Sequence, residues 1–421
     1  MDKTGCLPGL HTVLAGALFV DAFLSSALVA VEEYEPPRAL EVQNQRLVPF
    51  FNLSKNEQLT FHPYASVGGG YDSNVLLDSP GQEQDDTFAQ GIIGAQIDWE
   101  PAPIDRLQIR GEYNRTRYQT YDAEAGVRGG SLQLGYHHEG LVWAGFVTGS
   151  WRRINDALLS TNERALVEVW NSEGRLDYRT LTTRSSLGVT WARDDYLDGT
   201  SSFTETSRDN QRYELYARFA HELTDSDSIY VRTGPTRTIY QEQTQYVDSS
   251  GWFGVVGSEL ALGSLTTLTA EGGVVYRDYA QELPSNPTLT GHILWAPLAN
   301  IEATYLYEEQ SWIRVTAFSS LIDSLSQSYG SYYFGGRLDV RKRLLTNAGL
   351  VGTIAISENR DVDAGTLPRE SAVVRAFRGG GEYALREGLG IRALAGYEFS
   401  TADIADAYQR WIFSASINAA F

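Results

Sequence analysis

Hydrophobic and polar positions alternate along most of this chain. In "RLQIRGEYNRTRYQTY", Leu107, Ile109, Gly111 and Tyr113 fall on one side, while Gln108, Arg110 and Glu112 fall on the other. "SLQLGYH" sets Leu132, Leu134 and Tyr136 against Ser131, Gln133 and His137, and "QRYELYARFAHEL" sets Tyr213, Leu215, Ala217 and Phe219 against Arg212, Glu214, Arg218 and Glu222. The same pattern returns in "IEATYLYEE" and "LGIRALAGYEFS", where Glu302, Arg392 and Glu398 lie opposite apolar faces. A period of two is the mark of a strand with one apolar and one polar face. The alternation runs to the end of the sequence, "RWIFSASINAAF", with Trp411, Phe413, Ala415, Ile417, Ala419 and Phe421 on one side. Chain ends in water usually fray, so a strand that alternates to a final aromatic residue implies pairing beside an apolar phase.

The connections between these runs sort by length. Long polar loops near 72–86, 122–126, 153–163, 193–209, 241–250, 281–287, 319–327, 358–370 and 401–406 alternate with short turns near 101–105, 139–140, 177–180, 223–226, 263–265, 297–300, 343–347 and 385–388. A Greek-key sandwich does not sort its connections this way, whereas an outer-membrane barrel has short periplasmic turns and long external loops. The expected fold is therefore all-β: a single transmembrane, antiparallel, up-and-down barrel of about eighteen strands, within a range of roughly 16–20. It would occupy residues 60–421.

Two segments precede it. Residues 1–30 read as an export signal, with Lys3, an apolar run "LAGALFVDAFLSSALVA" and Ala27 or Ala30 as the small residue at the cut. Residues 31–59 carry Pro36, Pro37 and Pro49 with no steady period, and read as an irregular periplasmic segment.

Composition agrees. The 421 residues include 24 Tyr, 9 Trp, 16 Phe and 40 Gly but only 13 Pro. Mean hydropathy is −0.28, as expected when lipid-facing and water-facing residues alternate. Beyond the signal no run approaches the roughly 18 apolar residues of a helical span. The single cysteine, Cys6, lies in the signal, which leaves no disulfide framework. A net charge of −19 argues against nucleic acid as a partner.

The first strand opens on "FHPYASVGGGYDSNV" (61–75). Here the chain resembles the outer-membrane beta-barrel porin family of the beta-barrel porin 2 type, whose members begin with a Pro-Tyr/Ser, alternating-Gly, Gly-Tyr-Asp-Asn-Val segment. The resemblance extends from about Thr60 to Phe421 and includes "ILWAPLANIEATYLYEE" (293–309), read as strand, Pro-containing turn and strand. It implies an integral protein of the cell outer membrane, sometimes linked to surface-polysaccharide export, and brings no catalytic residues. Trp411, Phe413 and Phe421 also match the terminal signal that the barrel-assembly machinery reads.

Candidate chemistry is confined to the polar face and the loops. Arg110, Glu112, Arg212, Glu214, Arg218, Glu302, Arg337, Asp339, Arg341, Arg392 and Glu398 are expected to face the lumen, since charge is costly in hydrocarbon. Such residues line an aqueous path or brace the wall as cross-strand pairs. Acidic clusters (Asp72, Asp78, Glu83, Asp85, Asp86; Asp194, Asp195, Asp198; Glu358, Asp361, Asp363) read as solvated loop faces, or as sites for divalent cations bridging lipopolysaccharide. The glycine triplets at 68–70 and 379–381 lack the Lys-Ser/Thr and helix of a phosphate loop. No nucleophile–His–acid set stands out and no metal or cofactor site is expected. The leading function is passive diffusion or export of hydrophilic solutes through a water-filled channel. Outer-membrane lipid, lipopolysaccharide and the assembly machinery are the expected partners, together with a periplasmic polysaccharide-export protein if the channel exports sugar; Tyr118, Tyr216 and Tyr333 would then line the sugar path. A structural or adhesive barrel with a plugged lumen is the alternative.

Overall fold

The computed structural model describes residues 51–52, 58–157, 164–197, 209–224, 226–241, 247–279, 293–308, 311–323, 329–361, 371–386, 388–402 and 407–420. Residues 1–30, nearly all of 31–59, and Phe421 lie outside this set.

Eighteen long strands follow one another around a ring. They are β1 (Leu59–Asp72), β2 (Asp86–Ala102), β3 (Asp105–Tyr118), β4 (Val127–Glu139), β5 (Trp143–Ala157), β6 (Arg164–Arg179), β7 (Thr183–Leu197), β8 (Asn210–Glu222) and β9 (Ser228–Tyr240). The second half comprises β10 (Ser249–Ala261), β11 (Thr266–Tyr279), β12 (Ile293–Glu308), β13 (Ser311–Asp323), β14 (Gly330–Leu345), β15 (Ala348–Asp361), β16 (Ser371–Arg386), β17 (Leu389–Ala402) and β18 (Tyr408–Ala420). Each pairs antiparallel with the next, and β18 closes on β1 from Ile412↔Asp72 to Ala420↔Tyr64. Closure removes both sheet edges, which is what lets strands cross lipid with every backbone group paired. One helical turn, α1 (Asp122–Ala125), interrupts the loop after β3. Phe51 and Asn52 pair with Phe61 and Thr60, a short strand within the segment read as irregular.

The two ends of the barrel differ as expected. Turns such as 103–104, 140–142, 180–182 and 346–347 lie at the end that carries Leu59 and Ala420, and the longer connections, from 73–85 onward, lie at the other. Ladder irregularities gather beside the short turns, at Trp99/Ala102, Leu306/Glu308, Arg343/Leu345 and Ala384/Arg386. Bulges there bend a strand into a tight reversal.

One turn is misplaced by the sequence reading. No turn forms at 297–300: β12 runs unbroken through Pro297, which pairs with Val274, and the reversal falls after Glu308. Proline cannot donate to a ladder. Here the pairing of β12 with β13 begins only at Ala299↔Ser319, beyond the proline, and the Ser319 hydroxyl donates to the Pro297 carbonyl at 3.0 Å. The strand therefore accommodates Pro297 without losing a bond on that side.

Directly paired residues of neighbouring strands share a face. Following the pairs round the ring, one face is exposed and apolar: Ile93, Tyr113, Leu132, Leu134, Val147, Leu176, Leu187, Leu215, Phe219, Val256, Ile301 and Ile417 all lie on it. Aromatic pairs bound this band. Trp143–Tyr178 (5.0 Å) lies toward the short turns, and Trp151–Trp170 (6.0 Å), Tyr276–Trp295 (5.1 Å) and Tyr397–Trp411 (4.5 Å) lie toward the long loops. Rings with an apolar body and a polar edge favour the membrane boundary. An apolar outer wall between aromatic girdles is stable only in lipid, and the protein is an outer-membrane barrel. Leu134→Arg, at the middle of this band, is expected to destabilise the barrel in lipid vesicles by about 2–4 kcal/mol, measured by denaturant titration. Gln133→Arg, one residue away on the inner face, should cost far less.

Candidate functional site: the charged barrel interior

The opposite face looks inward, and all eleven residues expected to line the lumen lie on it. One row of direct pairs runs Arg110, Gln133, Ser150, Asn171, Ala192 and Arg212 across six strands. The side chains do not stand alone. Arg110 reaches Glu112 at 3.4 Å, Arg212 reaches Asp194 at 3.1 Å and Arg218 reaches Glu259 at 2.6 Å. Glu214 and Glu271 flank Arg232 at 3.5 and 3.3 Å. On the other side of the ring Arg314 approaches Glu302 at 3.7 Å, Arg337 holds Asp339 at 2.7 Å and Arg341 holds Glu382 at 2.6 Å. Arg392 stands directly across from Glu382, and Tyr408 donates to Glu398 at 2.6 Å.

A repeated device organises the tighter half. Tyr64 lies across Gly94 to donate to Glu112 at 2.8 Å, Tyr216 across Gly188 to Glu173 at 3.0 Å, and Tyr230 across Gly257 to Glu271 at 2.5 Å. In each case the ring crosses one strand and its hydroxyl meets a carboxylate on the next. A Cβ at any of these glycines would overlap the ring. Arginines stack on the rings from above, Arg218 on Tyr230 at 3.9 Å and Arg232 on Tyr216 at 5.6 Å. Tyr216 also joins Phe253, Val255, Val275 and Ala296 in an apolar inner cluster against which Leu294 and Leu298 pack. Alternation alone does not reveal this cluster, because its residues lie on the inward face, which elsewhere on the ring is polar.

The three rings named for a sugar path are not available to a solute. Tyr118, Tyr216 and Tyr333 are 6, 4 and 2 % exposed. Tyr216 is folded over Gly188, Tyr333 packs on Phe318 at 5.3 Å, and Tyr118 lies beneath the first loop.

The first loop, 73–85, folds onto a small apolar core of its own. Val75 and Leu77 are buried, and Val75 packs with Tyr118 and Ala125 against Phe88. Tyr118 and Phe88 pair directly and face inward, so the loop turns back over the inner wall. Asn74 pins it: its side chain donates to the carbonyls of Asp78 and Gln409 at 2.7 and 3.0 Å and accepts from the Asp78 N–H at 2.9 Å. Leu77 has φ 63, a left-handed backbone that a bulky residue adopts only where its surroundings impose it. The Glu83 carboxyl is held below the usual carboxylate range by its own backbone N–H, then by the Gln409 side chain and the Gly81 N–H.

Two members of the first acidic cluster belong to the wall instead of a solvated loop. Asp72 is fully buried in a two-bond pair with Arg410 (2.8 and 2.5 Å) and accepts from the Tyr118 hydroxyl at 3.3 Å. Asp86 accepts the backbone N–H groups of Thr87, Thr120 and Tyr121. In the other clusters Asp194 pairs with Arg212, Asp195 with Arg193 and Glu358 with Arg360, while Asp198 and Asp363 lie outside the described residues. Among the described residues no group of acids and histidines is gathered to hold a metal ion. His62 Nε2 lies 3.1 Å from Thr60 Oγ1 and 3.4 Å from Asp98 Oδ2. With hydroxyl and carboxylate on the same ring nitrogen, these three do not form the relay of a hydrolase.

At the closing strand Trp411, Phe413 and Ile417 face outward into the apolar band. Phe421 lies outside the described residues.

No protein-family model matches this chain, and no curated protein matches it. Among solved structures it is similar to a copper transporter, OprC, at 11 % identity and TM-score 0.46, with 86 % of this chain and 80 % of that one covered. It is also similar to the siderophore receptor PirA from Acinetobacter baumannii (8 % identity, TM-score 0.44, 86 and 80 % covered). A third is a mutant ferric enterobactin receptor from Pseudomonas aeruginosa in complex with enterobactin (10 % identity, TM-score 0.42, 86 and 81 % covered). Likeness at this level carries no argument about what the chain binds. The fold rests on the closed pairing described above.

Proposed function

We propose that the barrel is a passive channel for hydrophilic solutes, favouring anions. The observation that carries this reading is the accessibility of arginines inside a closed wall: the side chains of Arg314, Arg337 and Arg341 stay 36, 31 and 29 % exposed. Hydrocarbon does not reach them, so water does, and barrels of sixteen to eighteen strands are wide enough for it. The inner face of β13–β17 carries Arg314, Arg337, Arg341, Arg343, Arg378 and Arg392 against Asp339, Glu382 and Glu398. That sector is positive although the chain as a whole is at −19. Side chains around a narrow aqueous path set the field that a permeating ion crosses. The inward-turned loop 73–85 narrows the mouth, as expected of a diffusion porin. The resemblance to barrels linked to polysaccharide export allows longer anionic solutes, but the burial of Tyr118, Tyr216 and Tyr333 removes support for an aromatic sugar track.

Single-channel recording of the refolded chain in a planar bilayer tests this. Steady steps are expected, with a reversal potential favouring anions in a salt gradient. The double substitution Arg337→Glu and Arg341→Glu should move selectivity toward cations. Silence from a folded barrel, verified by heat-shifted gel migration, would overturn the channel reading in favour of a plugged structural or adhesive barrel.

A further inference from the structure

The outer wall carries a second charged feature, above the aromatic girdle on the long-loop side. On β3 the outward positions run Leu107, Ile109, Gly111, Tyr113, Arg115 and Arg117, so the apolar band ends at Tyr113 and arginine follows. The outward face of β4 likewise ends at Arg128, above Leu132 and Gly130. Arg115 and Arg128 are a direct cross-strand pair. Like charges placed opposite each other repel, and such pairs are avoided unless something anionic lies between them.

Among the described residues no side chain supplies that anion. Neighbouring outward arginines are matched: Arg153 by Glu168, Arg193 by Asp195, and Arg117, more loosely, by Asp122 at 3.9 Å. Among the described residues neither Arg115 nor Arg128 has an acidic partner. Arg115's neighbour on its other side is Gly91, where an added Cβ would meet nothing within 4 Å, so the flank of the guanidinium is open. Tyr113, Trp151 and Trp170, just below, set the height at the boundary between acyl chains and headgroups.

We propose that Arg115 and Arg128 bind the phosphate of a phosphorylated glycolipid in the outer leaflet. Two guanidinium forks converge on the anion from adjacent strands, the arrangement that favours bidentate phosphate recognition. The lipid's acyl chains continue down the apolar wall past Tyr113 and Leu132. This site is independent of whether the lumen conducts.

Native mass spectrometry of the full chain in neutral detergent, with bis-phosphorylated lipid A as probe, tests the assignment. Retained lipid is expected to fall about tenfold or more in the Arg115→Gln, Arg128→Gln variant, as for loss of charge-assisted phosphate bonds. It should stay unchanged in Arg237→Gln, an outward arginine on β9, five strands further round the rim from β4. Dephosphorylated lipid A should bind weakly to the wild type, and millimolar inorganic phosphate should not displace the lipid. Thermal unfolding gives a second readout with opposite signs: Arg128→Gln alone should raise or preserve the transition in detergent, where repulsion is relieved, and lower it once lipid A is added. Equal retention by wild type and double variant overturns the site. Displacement by inorganic phosphate overturns the lipid as its ligand, and equal binding of dephosphorylated lipid overturns the phosphate.

Discussion

Arg410→Ala is expected to destabilise the closed barrel by about 3–5 kcal/mol, the cost of leaving one buried charge without its partner. Asp72 and Arg410 are 0 and 3 % exposed, and they join the end of β1 to the start of β18 across the seam where the ring closes. Removing the guanidinium strands a carboxylate whose other donors include the Tyr118 hydroxyl and the Asn74 N–H, at 3.3 and 3.2 Å. Neither carries charge. The damage should reach the mouth as well, because Asn74, Gln409 and Ser73 tie the first loop to this seam. The expected result in detergent is a lower denaturant midpoint, together with larger or noisier conductance steps as loop 73–85 loosens. Replacing both partners with neutral residues, Asp72→Asn with Arg410→Met, should recover much of the lost stability, since the burial cost disappears with the charges. A wild-type midpoint for Arg410→Ala would mean that water reaches Asp72 and that the pair does not hold the seam.

That pair also marks where sequence reasoning reaches its limit. Alternation assigned the inner and outer faces of strands such as β4, β8 and β17, because a residue's face depends only on its own strand. Connection lengths placed most reversals for the same local reason. Pro297 misled it, since whether a proline ends a strand depends on where the neighbouring ladder begins, and that is set by Ser319. Partnership is harder still. Asp72 and Arg410 are 338 positions apart, and nothing local separates Asp72 from the loop acids that follow it. The inner aromatics show the same limit: Tyr216 alternates as a lumen residue should, but its accessibility is decided by a glycine on β7 and a glutamate on β6. Of the candidate site, the eleven charged positions and their face were legible, whereas their pairing, the apolar inner cluster and the folded first loop were not.

Gly188→Val is expected to cost roughly 2–5 kcal/mol, the sum of overpacking and a lost hydrogen bond to a carboxylate. Gly188 provides the floor for the Tyr216 ring, and the nearest atoms to an added side chain there are the Cζ, hydroxyl and Cε1 of that ring. Backbone pairing with Leu176-side and Tyr216-side neighbours fixes the strand, with Arg175↔Gly188 and Gly188↔Tyr216, so β7 cannot retreat. The ring must move instead. When it does, Glu173 loses the tyrosine's proton at 3.0 Å, and Arg232 loses the π face it lies over at 5.6 Å. A glycine-to-valine change in a strand would ordinarily be neutral or favourable by β propensity, so a large cost isolates the contact with the ring. The decisive measurement is a double-mutant cycle in denaturant. In a Tyr216→Ala background the space above Gly188 is vacant, and Gly188→Val should then cost little, giving a coupling of about 1 kcal/mol or more between the two sites. Additive effects would mean that the valine disturbs β7 itself and that the tyrosine–glycine–glutamate crossing does not brace the wall.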